Sequence, residues 1–327
     1  MGAKKITMRK KNVRYRSLSP LAPLSPLSAS LRMSRATRMQ RVLRGHLSLA
    51  RICNSPTVIS NVLVGAVLAG KFWPDLRVGL VMLAMLCFYC AGMYLNGLMD
   101  YASDCRERPE RPLPSGLITR ASAMNVMLLL FGAGSFLLLL SGGIPFLCGV
   151  LLSILMVCYN RWHKQHSLSP LLMGLCRGMI YLSTFLACAT QYQTRDLWQV
   201  LVASTLLVCY VTSLTAIAKT ERRITVPTSI VIITLFMPLL YIITRLSWST
   251  LWLLPLAAGF VGWNWYSISL VYRRPRRLVG RAVEQLIAGI SLVDALILAV
   301  SGSMVGGAIA LLAFGLTLCL QRYVRGA

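Results

Sequence analysis

The sequence predicts an all-α integral membrane protein, a bundle of nine to ten transmembrane helices around a central cavity. Hydrophobic residues make up 56% of the 327 positions and charged residues only 13%, about half the charged share of a soluble domain. Mean hydropathy is +0.66. The apolar residues fall in continuous runs close to the ~20 residues needed to cross a bilayer core. These runs are rich in Leu, Ala and Ile and do not alternate with polar residues, which excludes an outer-membrane barrel.

The net charge of +25 would fit a nucleic-acid binder only if it formed a patch on a folded surface. Instead, Lys and Arg sit in the N-terminal tail and in short loops between apolar runs, the distribution of the positive-inside rule. Residues 1–46 contain no Asp or Glu and carry a Ser/Pro/Leu stretch from Ser17 to Ser30. Such a segment buries no core and is expected to be disordered. Three origins stay open for it: an organellar transit peptide, a basic tail lying on anionic lipid, or an over-extended start ahead of Met33 or Met39. Residues 47–327 form the membrane domain, placed in a bacterial inner membrane or an organellar one.

The apolar runs cover about 54–71, 78–99, 120–141, 143–160, 170–190, 197–217, 226–245, 250–271, 280–300 and 304–321. Ser141, Gly142 and Gly143 mark a tight turn between the third and fourth. Alternate loops hold the cations: Arg106, Arg108, Arg111 and Arg120; Arg161 and Lys164; Lys219, Arg222 and Arg223; Arg273, Arg274, Arg276, Arg277 and Arg281. These loops belong on one, cytoplasmic-type side. Ten spans bring Arg322 and Arg325 back to that side, whereas nine leave them opposite. Most of the ten cysteines lie within apolar runs as small hydrophobes. Cys87 and Cys90 form a C-x-x-C but lack the second ligand pair a zinc site needs.

Acidic residues are scarce, nine in all, yet Asp100, Asp104, Glu107 and Glu110 cluster at the end of the second run. Asn96, Asp100 and Asp104 recur every four residues, so on a helix they share one face. Ionisable groups at this depth face polar cavities, and hard oxygen donors suit Mg²⁺, which retains room for phosphate oxygens. Arg106, Arg108 and Arg111 beside the strip are suitable phosphate partners. Spacing alone leaves two readings: solvated charges at a helix end, or a site for Mg²⁺ and a diphosphate. Arg177, inside the fifth run, needs an anionic partner, which is either a substrate or Glu284 or Asp294 on the ninth run. Trp263, Trp265, Tyr266 and Tyr272 read as interfacial anchors, and His163 and His166 are given no role.

Asn96-x-x-x-Asp100-x-x-x-Asp104, followed by Arg111-Pro112-Leu113-Pro114-Ser115-Gly116, resembles the first signature of UbiA-type prenyltransferases. Ser55-Pro56-Thr57, Ser60-Asn61 and Gly65 in the first run, and Tyr159-Asn160 leading to Lys164, fit the same family. The resemblance covers most of residues 50–300. The stretch from Tyr210 to Glu221, with Glu107-Arg108-Pro109-Glu110-Arg111-Pro112, is similar to the EboC-like branch. The resemblance implies an intramembrane enzyme that ionises a prenyl diphosphate with Mg²⁺ and transfers the isoprenoid chain to a small acceptor, such as an aromatic ring. It makes Asn96, Asp100, Asp104 and Glu221 the metal ligands and Asp100, Asp104 and Lys164 the catalytic set. Arg108, Arg111, Tyr159, Arg177, Lys219, Arg222 and Arg223 become substrate-binding residues. Three positions depart from the family pattern. Gly97 replaces an acid. Tyr159 and Lys164 are five apart rather than four, a rotation of ~140°. The second acidic signature is reduced to Glu221 within Lys219-Thr220-Glu221-Arg222-Arg223. That last departure supports a rival: a lipid-handling or transport protein that keeps the fold without catalysis.

Overall fold

The computed structural model describes residues 35–71, 75–163, 166–223, 227–243, 248–273 and 278–323; of 35–37, 221–223, 248 and 249 it describes the backbone alone. Contacts divide the chain into Met1–Gln40 and Arg41–Ala327. Of the first unit the described part is the opening of helix α1. Everything below concerns the second, in which the described residues form helices and no strand.

The helices are α1 (Arg35–Leu49), α2 (Pro56–Leu68), α3 (Leu76–Glu107), α4 (Arg120–Ser141), α5 (Gly143–Trp162), α6 (Ser169–Cys188), α7 (Thr194–Arg223), α8 (Ser229–Phe236), α9 (Leu239–Ile243), α10 (Leu254–Tyr272), α11 (Val279–Val300) and α12 (Met304–Tyr323). Local chemistry sets their ends. Asp75 caps α3 by accepting from the Arg77 amide at 2.8 Å, and Thr119 caps α4 by accepting from Ser122 at 3.2 Å. Pro56, Pro170 and Pro255 occupy first turns, where a missing N–H costs nothing. α3 stops at Arg108, whose α conformation Pro109 disfavours. The glycine turn expected between α4 and α5 is present at Gly142.

Three expectations need correction. The tail expected to lack structure is already helical from Arg35 onward, in a basic stretch that alternates Arg with Met and Leu. The run 226–245 is not one helix. It breaks between α8 and α9 at Met237–Pro238, because Pro238 lacks a donor and its ring clashes with the carbonyl four residues back. Trp263 is not an interfacial anchor: its Nε1 donates to the Gln285 carbonyl at 2.9 Å and its ring meets Phe314 edge-on at 4.9 Å. Among the described residues, α3, α4, α5, α6, α7, α11 and α12 are long and apolar enough to cross a bilayer. The α1–α2 pair, bent by 50° at its break, passes the same test only when its two parts are taken as one span. α10 falls outside this set because Trp263, Asn264, Trp265 and Tyr266 dilute its centre. Asn264 is nevertheless buried, donating to Phe260 O and accepting from Tyr210.

Chain neighbours pack as hairpins, most extensively α3 with α4, α6 with α7 and α11 with α12. α2 is the internal strut, meeting α3, α6, α11 and α12. Gly65 permits this: a Cβ there would lie 2.6 Å from the Tyr181 carbonyl and 2.7 Å from Thr184 Cβ. α11 is the most enclosed helix, buried from Ala288 through Ala299. α4, α5 and α12 turn Leu129, Phe136, Leu147, Ile154 and Leu312 outward, as lipid-facing surfaces do. At the other end of the chain, Gln321 Nε2 donates to Asn54 Oδ1 at 2.9 Å and Glu284 O at 3.0 Å. It thereby fastens α12 and α11 to the short 3-10 turn Ile52–Asn54 between α1 and α2.

Candidate active site

The acid strip occupies the last turns of α3. Asn96 donates its amide N–H to Asn160 Oδ1 on α5 at 3.0 Å, and Asn160 is oriented in turn by donating to Met156 O at 2.8 Å. Asp100 Oδ1 lies 3.3 Å from His163 Nε2. The other ring nitrogen of His163 is 3.0 Å from Asn160 O, and the ring lies beside Tyr159 at 5.6 Å between centroids. Asp104 is buried and accepts from Arg111 Nη1 at 2.8 Å in a charge-assisted pair.

The hexapeptide holds Arg111 in place by its own backbone. Ser115 N donates to Arg111 O at 2.9 Å, Gly116 N to Leu113 O at 3.1 Å, and Ile118 N to Pro112 O at 3.0 Å. Gly116 sits at φ +73°, a left-handed conformation that other residues adopt at a steric cost. Gly97 also has a steric reason. A Cβ there would meet Leu49 Cδ1 at 2.7 Å, so the acid that the family pattern carries is displaced by the packing of α1 on α3.

Three loops converge on this end of the bundle. Lys219, near the end of α7, donates to His166 O at 2.9 Å and Ser169 Oγ at 2.5 Å in the α5–α6 connection. That connection also carries His163 opposite Asp100, and Arg120 stacks over Tyr101 at 4.8 Å. Arg108 is exposed at the α3 C-cap. Below the strip opens a cavity of about 210 Å³ between α3, α5, α6, α7 and α11. Its walls are mainly apolar, with Asn96, Tyr159, Arg177 and Arg51 as polar punctuation. Arg51 follows α1 at φ 46°, ψ 46°, and its carbonyl accepts from Tyr89 at 2.9 Å.

Asn96 lines this cavity with Tyr159 and Arg177 and also lines a small neighbouring cleft with Asp104 and Arg111, while Asp100 sits against His163. Lys164 lies outside the described residues, as do the side chains of Glu221, Arg222 and Arg223. Arg177 answers the choice posed above through an intermediary: it donates to Asn61 Oδ1 at 3.0 Å, and Asn61 donates to Asp294. Glu284 is exposed and offers its backbone, not its carboxylate, to Gln321. His163 received no role from the sequence yet stands against Asp100, a correction that its position three residues past Asn160 on the same helical turn makes intelligible. Arg51 was missed altogether, since it belongs to no charge cluster, and Asn160 was noted only as a neighbour of Tyr159.

The UbiA prenyltransferase family matches residues 58–283, which hold the strip, the hexapeptide and most of the cavity walls. The chain belongs to this family. Its similarity to digeranylgeranylglyceryl phosphate synthases is partial. That of Methanothermobacter thermautotrophicus is 32% identical over 120 residues, 37% of this chain and 42% of that protein. The Methanosarcina mazei protein is 33% identical over 132 residues, 38% and 44% of the two chains. The matched stretch therefore spans less than half the length of these relatives. A solved structure of digeranylgeranylglyceryl phosphate synthase in membranes covers 80% of this chain and 99% of its own, with TM-score 0.57 at 19% identity. At that identity the likeness shows the fold: this is a multi-pass integral membrane protein of UbiA architecture.

Proposed function

We propose that this protein transfers an isoprenoid chain from a prenyl diphosphate to a small acceptor within the membrane. The observation that supports it is an apolar cavity whose wall includes Asn96, beside a small cleft lined by Asn96, Asp104 and Arg111, in a chain of the UbiA prenyltransferase family. An amphiphile with a charged head and a long apolar tail matches that polarity gradient.

The donor set at the mouth fits a divalent cation. Asp100 and Asp104 supply hard oxygens, and Asn96, whose N–H is committed to Asn160, offers its carbonyl oxygen. The His163 ring lies against Asp100 and Arg111 pairs with Asp104. Mg²⁺ bound by Asn96, Asp100 and Asp104, with Glu221 as the proposed facing ligand, would neutralise diphosphate charge. Arg108, Arg111, Lys164, Lys219, Arg222 and Arg223 are proposed to hold the departing diphosphate. Ionisation breaks the allylic C–O bond, and the electron pair leaves with the diphosphate. Tyr159 and Tyr89 face the cavity, where aromatic faces stabilise an allylic cation. The acceptor then forms the new bond and releases a proton.

The test is purified protein in nanodiscs with Mg²⁺, a panel of prenyl diphosphates and candidate acceptors, read by mass spectrometry of lipid products. Transfer that disappears in Asp100→Asn supports the reading. Diphosphate binding without any product would favour the lipid-handling rival.

A further inference from the structure

Six polar residues from three helices meet below the mouth. Ser60 and Asn61 come from α2, Arg177 and Tyr181 from α6, and Ser291 and Asp294 from α11. All but Arg177 are fully buried. Asp294 is their focus. Ser60 Oγ donates to its Oδ2 at 2.5 Å, Tyr181 donates to its Oδ1, and Asn61 Nδ2 reaches both oxygens at 2.9 Å. Ser291 lies 3.0 Å from Ser60 Oγ and backs it.

This arrangement fixes the Asn61 amide. Because its nitrogen is committed to the carboxylate, its oxygen must point the other way, and there it accepts from Arg177 Nη1 at 3.0 Å. The guanidinium lies over the Tyr89 ring at 5.4 Å and opens onto the cavity. Among the described residues no carboxylate comes within ion-pair distance of it. A guanidinium has five N–H donors, so an amide oxygen and a ring face leave it with capacity for an anion. Depth decides which anion. Tyr89 precedes Asp100 by eleven residues on α3, roughly 16 Å along the helix at 1.5 Å per residue. A diphosphate centred on Asp104 would therefore be set apart from Arg177 along the helix axis.

We infer that Arg177 forms a second anion site in the cavity, aimed by Asp294 through Asn61, and that it takes a carboxylate or phosphate oxygen of the acceptor. The inference rests on the prenyl-transfer reading for the word acceptor, but the site itself does not. Asp294 is a positioning residue. It touches no ligand and acts by locking the amide that orients the guanidinium.

The experiment is calorimetric binding to the full-length protein in detergent, using probe pairs that differ only in the oxyanion. Benzoate is compared with benzamide, and a long-chain alkylglycerol phosphate with the same alkylglycerol. Wild-type protein should bind the anionic member of at least one pair tenfold or more tightly; which pair responds separates a carboxylate from a phosphate. Arg177→Gln and Asp294→Asn should both erase that preference, and Tyr181→Phe, which removes one donor to Asp294 without approaching the guanidinium, should reduce it about threefold. Geranylgeranyl diphosphate affinity, measured in parallel, should move less than twofold in Tyr181→Phe. A wild-type protein indifferent to the oxyanion in both pairs overturns the proposal, and so does a preference that survives in a folded Arg177→Gln or Asp294→Asn. If Tyr181→Phe weakens diphosphate and oxyanion equally, the two sites are one and the proposal fails. Should wild type show the oxyanion preference but no diphosphate binding, the anion site stands and prenyl transfer falls.

Discussion

The mouth and the buried cluster below it both pair a carboxylate with an arginine, but they do so by different means. At the mouth, Asp104 and Arg111 are seven residues apart and in direct contact. Below it, Asp294 and Arg177 come from helices 117 positions apart and are joined by Asn61. The mouth is edged by exposed residues such as Arg108 and Glu110, although Asp104 is itself buried against Arg111. The cluster is sealed by three helices, so every donor around Asp294 has to find its partner in protein. Exposed charges at the mouth can therefore be altered at less cost to stability than those of the cluster, which hold three helices together.

That contrast is open to attack, beginning with the largest effect. Asp294→Ala strands the Tyr181 hydroxyl and the Asn61 amide, Ser60 keeping Thr57 O and Ser291, and should lower unfolding free energy by about 3–5 kcal/mol, seen as an early melt in detergent. A loss below 1 kcal/mol would mean that the cluster is loose. At the mouth, Asp100→Asn and Asp104→Asn should cost about 10²–10³ in turnover and leave the melting curve close to wild type. If they unfold the protein, the division between the two regions collapses. Lys219→Gln and Glu221→Gln should each weaken diphosphate binding by about 1.5–3 kcal/mol, measured by calorimetry; silence in both would remove α7 from the site. Gly97→Asp restores the missing acid yet drives its Cβ against Leu49. It should therefore destabilise by about 1–3 kcal/mol, with Leu49→Ala relieving part of the loss. Gly97→Asp that melts as wild type does would show that α1 yields.

The mouth was legible because its residues recur on one helix and run into a contiguous hexapeptide, so spacing alone aligned them. The continuous apolar runs gave most helices to within a few residues, though α3 and α7 run on into the polar ends beyond them and 226–245 divides in two. The cluster was only half legible. An intramembrane arginine demands a partner, and Asp294 was one of two candidates, but no pattern announces an amide that bridges residues 116 and 233 positions away. Pro238 was visible, yet the hydropathy of its surroundings hid the break. His163 could not be assigned because its role depends on which way the α5 C-terminus faces, and only packing against α3 decides that.

Gln321 carries a consequence of timing. Its bond to Asn54 closes a loop of 267 residues, and Asn54 lines the cavity. Membrane helices are made from the N-terminus onward, so α2, α3, α5 and α6 are all inserted before the residue that pins their shared boundary exists. In a nascent chain the link between Asn54 on the cavity wall and α12 stays unmade until α12 has been synthesised, so this part of the chamber is fastened late.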